Sequence, residues 1–296
     1  MTKHIKKPNV FLAGAPKCGT TSFAHWLGTH PQCYVSPKKE PHFFGDFMRN
    51  GMETNEYEKL FFGASENHAV RIDASTSYFT KPEAISQILD YNPEARFIIM
   101  LRNPIELAYS LHAEVLYGGA ETINSFEKAW HLQEARRNGR KIPISCQNPE
   151  MLLYRDQALL GSALQNLLAQ AGKDRVHWIF LEDLKKDPRQ CYLDVVGFLG
   201  LEDDGRNEFP SLNRSKRHRF PVLNRVLRTL GRMRSATGLP GIGIRKTLNQ
   251  YAKVEAERPP LRENFKREIY ESFRDDIKLL AGLTNRNLSH WTPQNL

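Results

Sequence analysis

Short apolar runs bounded by turn residues alternate with stretches of helical periodicity along most of the chain. The runs predict buried strands over Asn9 to Ala13, Ala69 to Asp73, Arg96 to Leu101 and Arg175 to Leu181. Helical spacing predicts helices over Thr20 to Thr29, Pro82 to Tyr91, Pro104 to Tyr117, Ser125 to Asn138, Met151 to Ala171, Pro188 to Leu199 and about Pro260 to Leu280. Asn103-Pro104 and Asp187-Pro188 each read as an N-cap followed by proline at the first helical position, where the missing N–H costs nothing. Strands alternating with helices predict an α/β fold, a P-loop-like parallel sheet with helices on both faces, in a single domain over residues 1–296.

Charge changes this picture in one region. No Asp or Glu occurs between Glu208 and Glu255, while eleven Lys and Arg accumulate from Arg214 to Lys253, more than the formal net charge of +9 for all 296 residues. Such an excess favours an anionic partner: a nucleotide, an acidic glycan, a nucleic acid or a membrane surface. The stretch reads equally as a solvated face, a nucleotide cover or an acceptor track. The four cysteines, Cys18, Cys33, Cys146 and Cys191, show neither CxxC spacing nor a Cys/His cluster, so no metal site is expected. Reduced thiols, no apolar run of about 18 residues and no signal-peptide core predict a cytoplasmic protein without a membrane span.

The candidate chemistry begins at Val10 to Phe23, VFLAGAPKCGTTSF, where a strand enters a glycine-bearing loop and then a helix. Free N–H groups and the dipole at a helix N-terminus bind phosphate, and Gly14 and Gly19 allow close backbone approach. Those two glycines have the spacing of GxxxxGK[ST], yet Thr20 fills the lysine slot and the lysine, Lys17, lies inside the loop. The plain alternative is a tight strand-to-helix turn. A second strand delivers Arg102 to the carboxyl edge of the sheet, where ligands of such folds bind, and Ser110 follows two helical turns later. Two anion sites on one edge suit a nucleotide with phosphates at both ends; the alternative is an arginine paired with a surface carboxylate.

APKCGTTSF at Ala15 to Phe23, KKEPHFFG at Lys38 to Gly45 and LRNPIELAYS at Leu101 to Ser110 together resemble the sulfotransferases that use 3′-phosphoadenosine-5′-phosphosulfate (PAPS). The likeness is greatest to the heparan sulfate sulfotransferase branch and its soluble bacterial relatives. FLEDLKKDP with GFLGL, Phe180 to Leu201, and the terminal LSHW, Leu288 to Trp291, extend it over most of the chain. The resemblance implies that Gly14, Lys17, Cys18, Gly19, Thr20, Thr21 and Ser22 bind the 5′-phosphosulfate and that Arg102 and Ser110 bind the 3′-phosphate. The lysine-glycine loop that covers the nucleotide in many members is not evident; Asn213 to Arg219, with Lys216 and Arg217, occupies the corresponding region and is the candidate cover. Lys17 would stabilise the leaving phosphate, Glu40 would act as general base, and His42 would orient Glu40 or contact the acceptor. Asp73 and His112 are alternative bases. One departure stands out, because Ala74 occupies the place where the heparan branch carries an active-centre lysine.

The expected reaction is in-line transfer of a sulfuryl group from PAPS to a hydroxyl or amine of a small-molecule, lipid or glycan acceptor, without a metal. A P-loop kinase using ATP and magnesium is the rival enzyme, with Glu182 and Asp183 as the carboxylates in question. A basic nucleic-acid-binding protein is the rival of another class, although no helix-turn-helix, zinc-finger or aromatic RNA-binding motif supports it.

Overall fold

A computed structural model describes residues 7–46, 51–212, 216–218, 253–255 and 259–295. The chain divides into two compact units, one of Met1–Leu107, Ala158–Asn213 and Ile269–Leu296, the other of Ala108–Gln157 and Arg214–Glu268.

The first unit is built on a five-stranded sheet in the order β2-β3-β1-β4-β5, formed by β1 (Val10–Gly14), β2 (Cys33–Val35), β3 (Val70–Asp73), β4 (Arg96–Leu101) and β5 (Val176–Phe180). Every neighbouring pair is parallel. Val10, Phe11 and Leu12 of β1 and Phe97 to Leu101 of β4 have no solvent exposure, which is why these strands read as unbroken apolar runs rather than alternating ones. The three-residue edge strand β2 is not predicted by the sequence pattern. It is too short for periodicity to register.

β1 sits between β3 and β4, so the chain leaves it toward one side of the sheet and later returns on the other. That reversal opens a crevice beyond the carboxyl ends of β1 and β4. The β1–β4 register slips between Leu12↔Ile98 and Gly14↔Ile99, a bulge that re-aims the chain as it enters the following loop. Helices α1 (Thr20–Gly28), α2 (Thr54–Lys59) and α3 (Pro82–Tyr91) follow β1 to β3, and α4 (Pro104–Gly118) follows β4 and runs into the second unit.

In the second unit the stretch predicted as one helix, Ser125 to Asn138, is two, α5 (Phe126–His131) and α6 (Gln133–Arg137), broken at Leu132. Met151 to Ala171 is likewise no single helix. It holds two 3₁₀ turns, Pro149–Leu152 and Asp156–Ala158, before α7 (Leu160–Ala171) begins in the first unit. Glu121 and Arg136 form an ion pair with neither side chain exposed. Tyr154 Oη donates to Glu121 Oε2 at 2.6 Å, and the amides of Thr122 and Ile123 donate to Oε1. This network pins the connection between α4 and α5.

The first unit closes with α8 (Leu181–Lys186), α9 (Pro188–Phe198) and the carboxyl part of α10 (Glu263–Thr284). Asp187 caps α9 as the sequence predicts, its Oδ1 accepting from the Gln190 amide at 2.9 Å. Asn103 Oδ1 accepts from the Ile105 amide at 3.0 Å at the start of α4. Of the acid-free stretch, the described part comprises Lys216–His218 (β6), paired antiparallel with Lys253–Glu255 (β7). Lys216 and Arg217 lie on β6; Asn213 to Ser215 and Arg219 to Ala252 lie outside the described residues.

Candidate active site

The loop after β1 is fixed from three directions. Ala15 N donates to Met100 O on β4 and Phe79 N donates to Ala13 O. A Cβ on Gly14 would lie 2.7 Å from Phe79 Cβ and 2.8 Å from Thr76 O, so only glycine fits there. Gly19 caps α1 at φ 92, and a Cβ on it would press on Leu181 and Leu184 of α8 at 3.3 Å each. The first turn of α1 carries no acidic residue, and its cap position makes no side-chain hydrogen bond. Its positive end is thereby left to an anion. Lys17 is exposed on this loop at φ 64. Cys18 is fully buried, and burial pushes its thiol up to about 12 despite the opposing pull of Arg102 and Lys17, so it stays protonated and packs as an apolar group.

The hydroxyls of that first turn have distinct engagements. Ser22 Oγ accepts from the Leu212 amide at 3.0 Å, anchoring the end of the segment that follows α9. Trp26 supports the same segment through Nε1 to Pro210 O and an edge contact with Phe209. Thr21 Oγ1 accepts from Lys39 Nζ at 2.8 Å.

Arg102 emerges from β4 beside this loop. Its Nη1 donates to Lys17 O at 3.1 Å, while Nε and Nη2 both hold Glu106 Oε2, at 2.9 and 2.7 Å. The guanidinium thus ties β4 to the loop and rests on a carboxylate one turn along α4. Ser110 is buried farther along that helix, within the second unit. His112, also buried there, bonds the Ile123 carbonyl at 2.9 Å, a structural engagement.

The KKEPHFFG segment forms the other wall. Phe43 and Phe44 are buried, Phe43 stacking on Tyr57 at 4.2 Å and Phe44 meeting Phe11, Tyr78 and Tyr91 edge-on. The two phenylalanines anchor the loop by burial of large rings. Ahead of them Glu40 keeps 30% of its side chain exposed, and its Oε2 lies 3.3 Å from His42 Nε2. His42 Nδ1 in turn meets Ser77 Oγ at 2.7 Å. Burial works to raise the Glu40 pKa, but the His42 hydrogen bond and the charges of His42, Lys39 and Lys17 outweigh it and hold the carboxyl below its ordinary value.

Beneath this wall Asp73 is fully buried at the carboxyl end of β3. Ser75 Oγ donates to its Oδ1 at 2.6 Å; Tyr57 Oη and Tyr78 Oη donate to Oδ2 at 2.7 and 3.0 Å. Ser75 accepts the His42 amide and Tyr78 accepts those of Phe43 and Phe44. Asp73 therefore sits under a hydroxyl layer that grips the backbone of residues 42–44. Burial raises its pKa against three hydroxyl donors. Its carboxylate is taken up by these three donors, away from solvent.

Five non-glycine residues among those described have positive φ, and three of them are Lys17, Glu40 and His42, at 64°, 53° and 49°. Left-handed non-glycine residues cost about 1–3 kcal/mol each and gather at functional sites.

The sulfotransferase domain family model matches residues 7–218, well over half the chain. The chain belongs to the sulfotransferase domain family. Among solved structures, the sulfotransferase of Alicyclobacillus acidocaldarius superposes with a TM-score of 0.70 at 25% identity, over 97% of this chain and 99% of that one. The membrane-associated sulfotransferase kil1 of Dictyostelium discoideum is 31% identical over 105 residues, 35% of this chain and 22% of that protein. Human heparan sulfate glucosamine 3-O-sulfotransferase 6 is 27% identical over 109 residues, 37% and 31% of the respective lengths. The chain aligns with less than a third of these two curated relatives. No group of three or more His, Cys, Asp or Glu among the described residues could hold a metal ion, and none of the described helices is long and apolar enough to cross a membrane.

Proposed function

We propose that this chain transfers the sulfuryl group of PAPS to a hydroxyl or amine of a small-molecule, lipid or glycan acceptor by in-line displacement. The observation that carries this reading is the meeting, at the carboxyl end of one sheet, of an acid-free α1 terminus bearing Lys17 with a wall presenting Glu40. Gly14, Cys18, Gly19, Thr20 and Thr21 shape or line the 5′-phosphosulfate site, and Lys17 offsets the charge that develops on the leaving phosphate. Ser22 acts here by holding Leu212, from which the chain enters its basic stretch. Arg102 and Ser110 are assigned to the 3′-phosphate, and Arg102 then exchanges Glu106 for the ligand. Lys216 and Arg217 are assigned to the nucleotide cover.

Glu40 takes the acceptor proton, and His42, held by Ser77, orients it. A cytoplasmic location belongs to this reading, supported by four free thiols. The kinase reading finds little support. Glu182 and Asp183, the carboxylates that could attend magnesium, are engaged by Arg286, and His290 closes on Glu182 at 2.9 Å.

Adenosine 3′,5′-bisphosphate is expected to raise the melting temperature more than AMP does, with the same shift in EDTA. A ligand at about 100 times its Kd stabilises by about 2.7 kcal/mol. Equal shifts from the two nucleotides in a thermal-melt titration would remove the two-phosphate reading, and loss of the shift in EDTA would return magnesium to it.

A further inference from the structure

We propose that Lys39 is a catalytic residue of this site, the cation that holds the peripheral sulfuryl oxygens of the donor while the acceptor attacks. The proposal rests on the sulfuryl-transfer reading above. Its ground is one ammonium group with two contacts. Lys39 Nζ donates to Thr21 Oγ1 at 2.8 Å, in the first turn of the anion-binding helix, and lies 3.9 Å from Glu40 Oε1. A single cation thus bridges the wall that receives the donor and the carboxylate that receives the proton. The Lys39 side chain is 59% exposed, so a ligand can reach it.

These groups border a cleft of about 240 Å³ lined by Thr20, Thr21, Lys38, Lys39, Glu40 and Ala74, among others. Ala74, at the end of β3, brings no charge to it. Lys38 shares the wall, but the hydrogen bond to Thr21 and the ion pair with Glu40 are made by Lys39. Lys39 is therefore the lysine of this wall whose ammonium stands between donor and base.

The chemistry gives a cation a place there. As the acceptor atom bonds to sulfur, the bond from sulfur to the 5′-phosphate oxygen breaks; its electron pair leaves with the nucleotide, and the acceptor proton passes to Glu40. Lys17 serves the leaving end. The three peripheral oxygens of the sulfuryl group remain negative throughout, and they pass between the α1 terminus and Glu40. An ammonium has three N–H donors, so Lys39 can keep Thr21 and still bond a sulfuryl oxygen. Drawing the ammonium onto the donor also loosens its hold on Glu40, which makes the carboxylate a better base once PAPS is bound.

The test needs no acceptor, because PAPS carries the sulfuryl group and adenosine 3′,5′-bisphosphate lacks it. Calorimetric titration of both nucleotides into the full chain is expected to show Lys39→Ala binding PAPS at least about 10-fold more weakly, the size of one charged hydrogen bond. Its affinity for the bisphosphate should stay within about 2-fold of wild type. Lys39→Arg should recover part of the PAPS affinity. A melting curve on each exposed-site variant confirms the fold. Equal losses for both nucleotides in Lys39→Ala, or no loss for either, overturn the proposal. Failure of the wild-type chain to bind either nucleotide overturns the donor reading itself, whatever Lys39 does.

Discussion

Glu40→Gln is expected to lower kcat by about 10²- to 10³-fold at saturating donor and acceptor, with little change in donor affinity. Glutamine keeps the shape and one acceptor oxygen toward His42 but cannot take a proton. Lys17→Ala should produce a loss of similar order, because its cation meets charge that grows only as the phosphate leaves. Arg102→Ala should act chiefly on nucleotide affinity, with some loss of loop order, since it also releases the Lys17 carbonyl. The pH dependence gives a second check. Glu40 works as a base only when ionised, and His42, Lys39 and Lys17 hold its carboxyl below the usual value against the opposing effect of burial. The acid limb of kcat/KM should therefore lie below about pH 4.3, the ordinary glutamate value, and should vanish in Glu40→Gln. Near-normal turnover in that variant, with chemistry rate-limiting, would transfer the role of base to His42.

Arg136→Met is expected to destabilise the second unit by about 3–5 kcal/mol, the usual consequence of leaving one member of a buried ion pair charged and alone. Glu121 would lose the guanidinium while still receiving Tyr154 and two backbone amides. The double variant Arg136→Met with Glu121→Gln should recover part of the loss, because it removes the orphaned charge. Burial acts to raise the Glu121 pKa, but its bonds from Arg136, Tyr154 and Ile123 win and lower it. Its contribution is thus complete above about pH 4.3, the unfolded glutamate value, and disappears as pH falls through the lower folded value. Denaturant unfolding at neutral and acid pH measures both effects. A loss below about 1 kcal/mol in Arg136→Met would show that water reaches the pair.

The central strands were legible in the sequence because burial on both faces leaves an uninterrupted apolar run, as in Arg96 to Leu101. The loop glycines were legible because Gly14 and Gly19 occupy positions where a side chain collides or the backbone is left-handed. Other features were hidden for definite reasons. β2 has only three residues, too few for an alternating pattern to repeat, and the break at Leu132 lies inside a continuous helical rhythm. Asp73 read as a possible base, since a carboxylate after a strand looks the same in sequence whether it faces a ligand or a layer of hydroxyls. Ser75 and Tyr78 carry the grip on the histidine-phenylalanine segment across more than thirty residues, and no local spacing reveals that. Lys39 is one of two adjacent lysines, and only the reach of its ammonium to Thr21 separates it from its neighbour.

Arg286 closes over Glu182 and Asp183 behind the loop that follows β1. Both carboxylates stand in the first turn of α8, whose Leu181 and Leu184 abut Gly19. Left bare, two negative charges one helix away would oppose the field that α1 and Lys17 direct at a phosphosulfate. The guanidinium offsets one of these two charges, and His290 and Trp291 engage the Oε2 of Glu182. On the sulfuryl-transfer reading, the residues after α10 would thus temper the field at the donor site without approaching the anion, as a partial counter-charge behind Gly19.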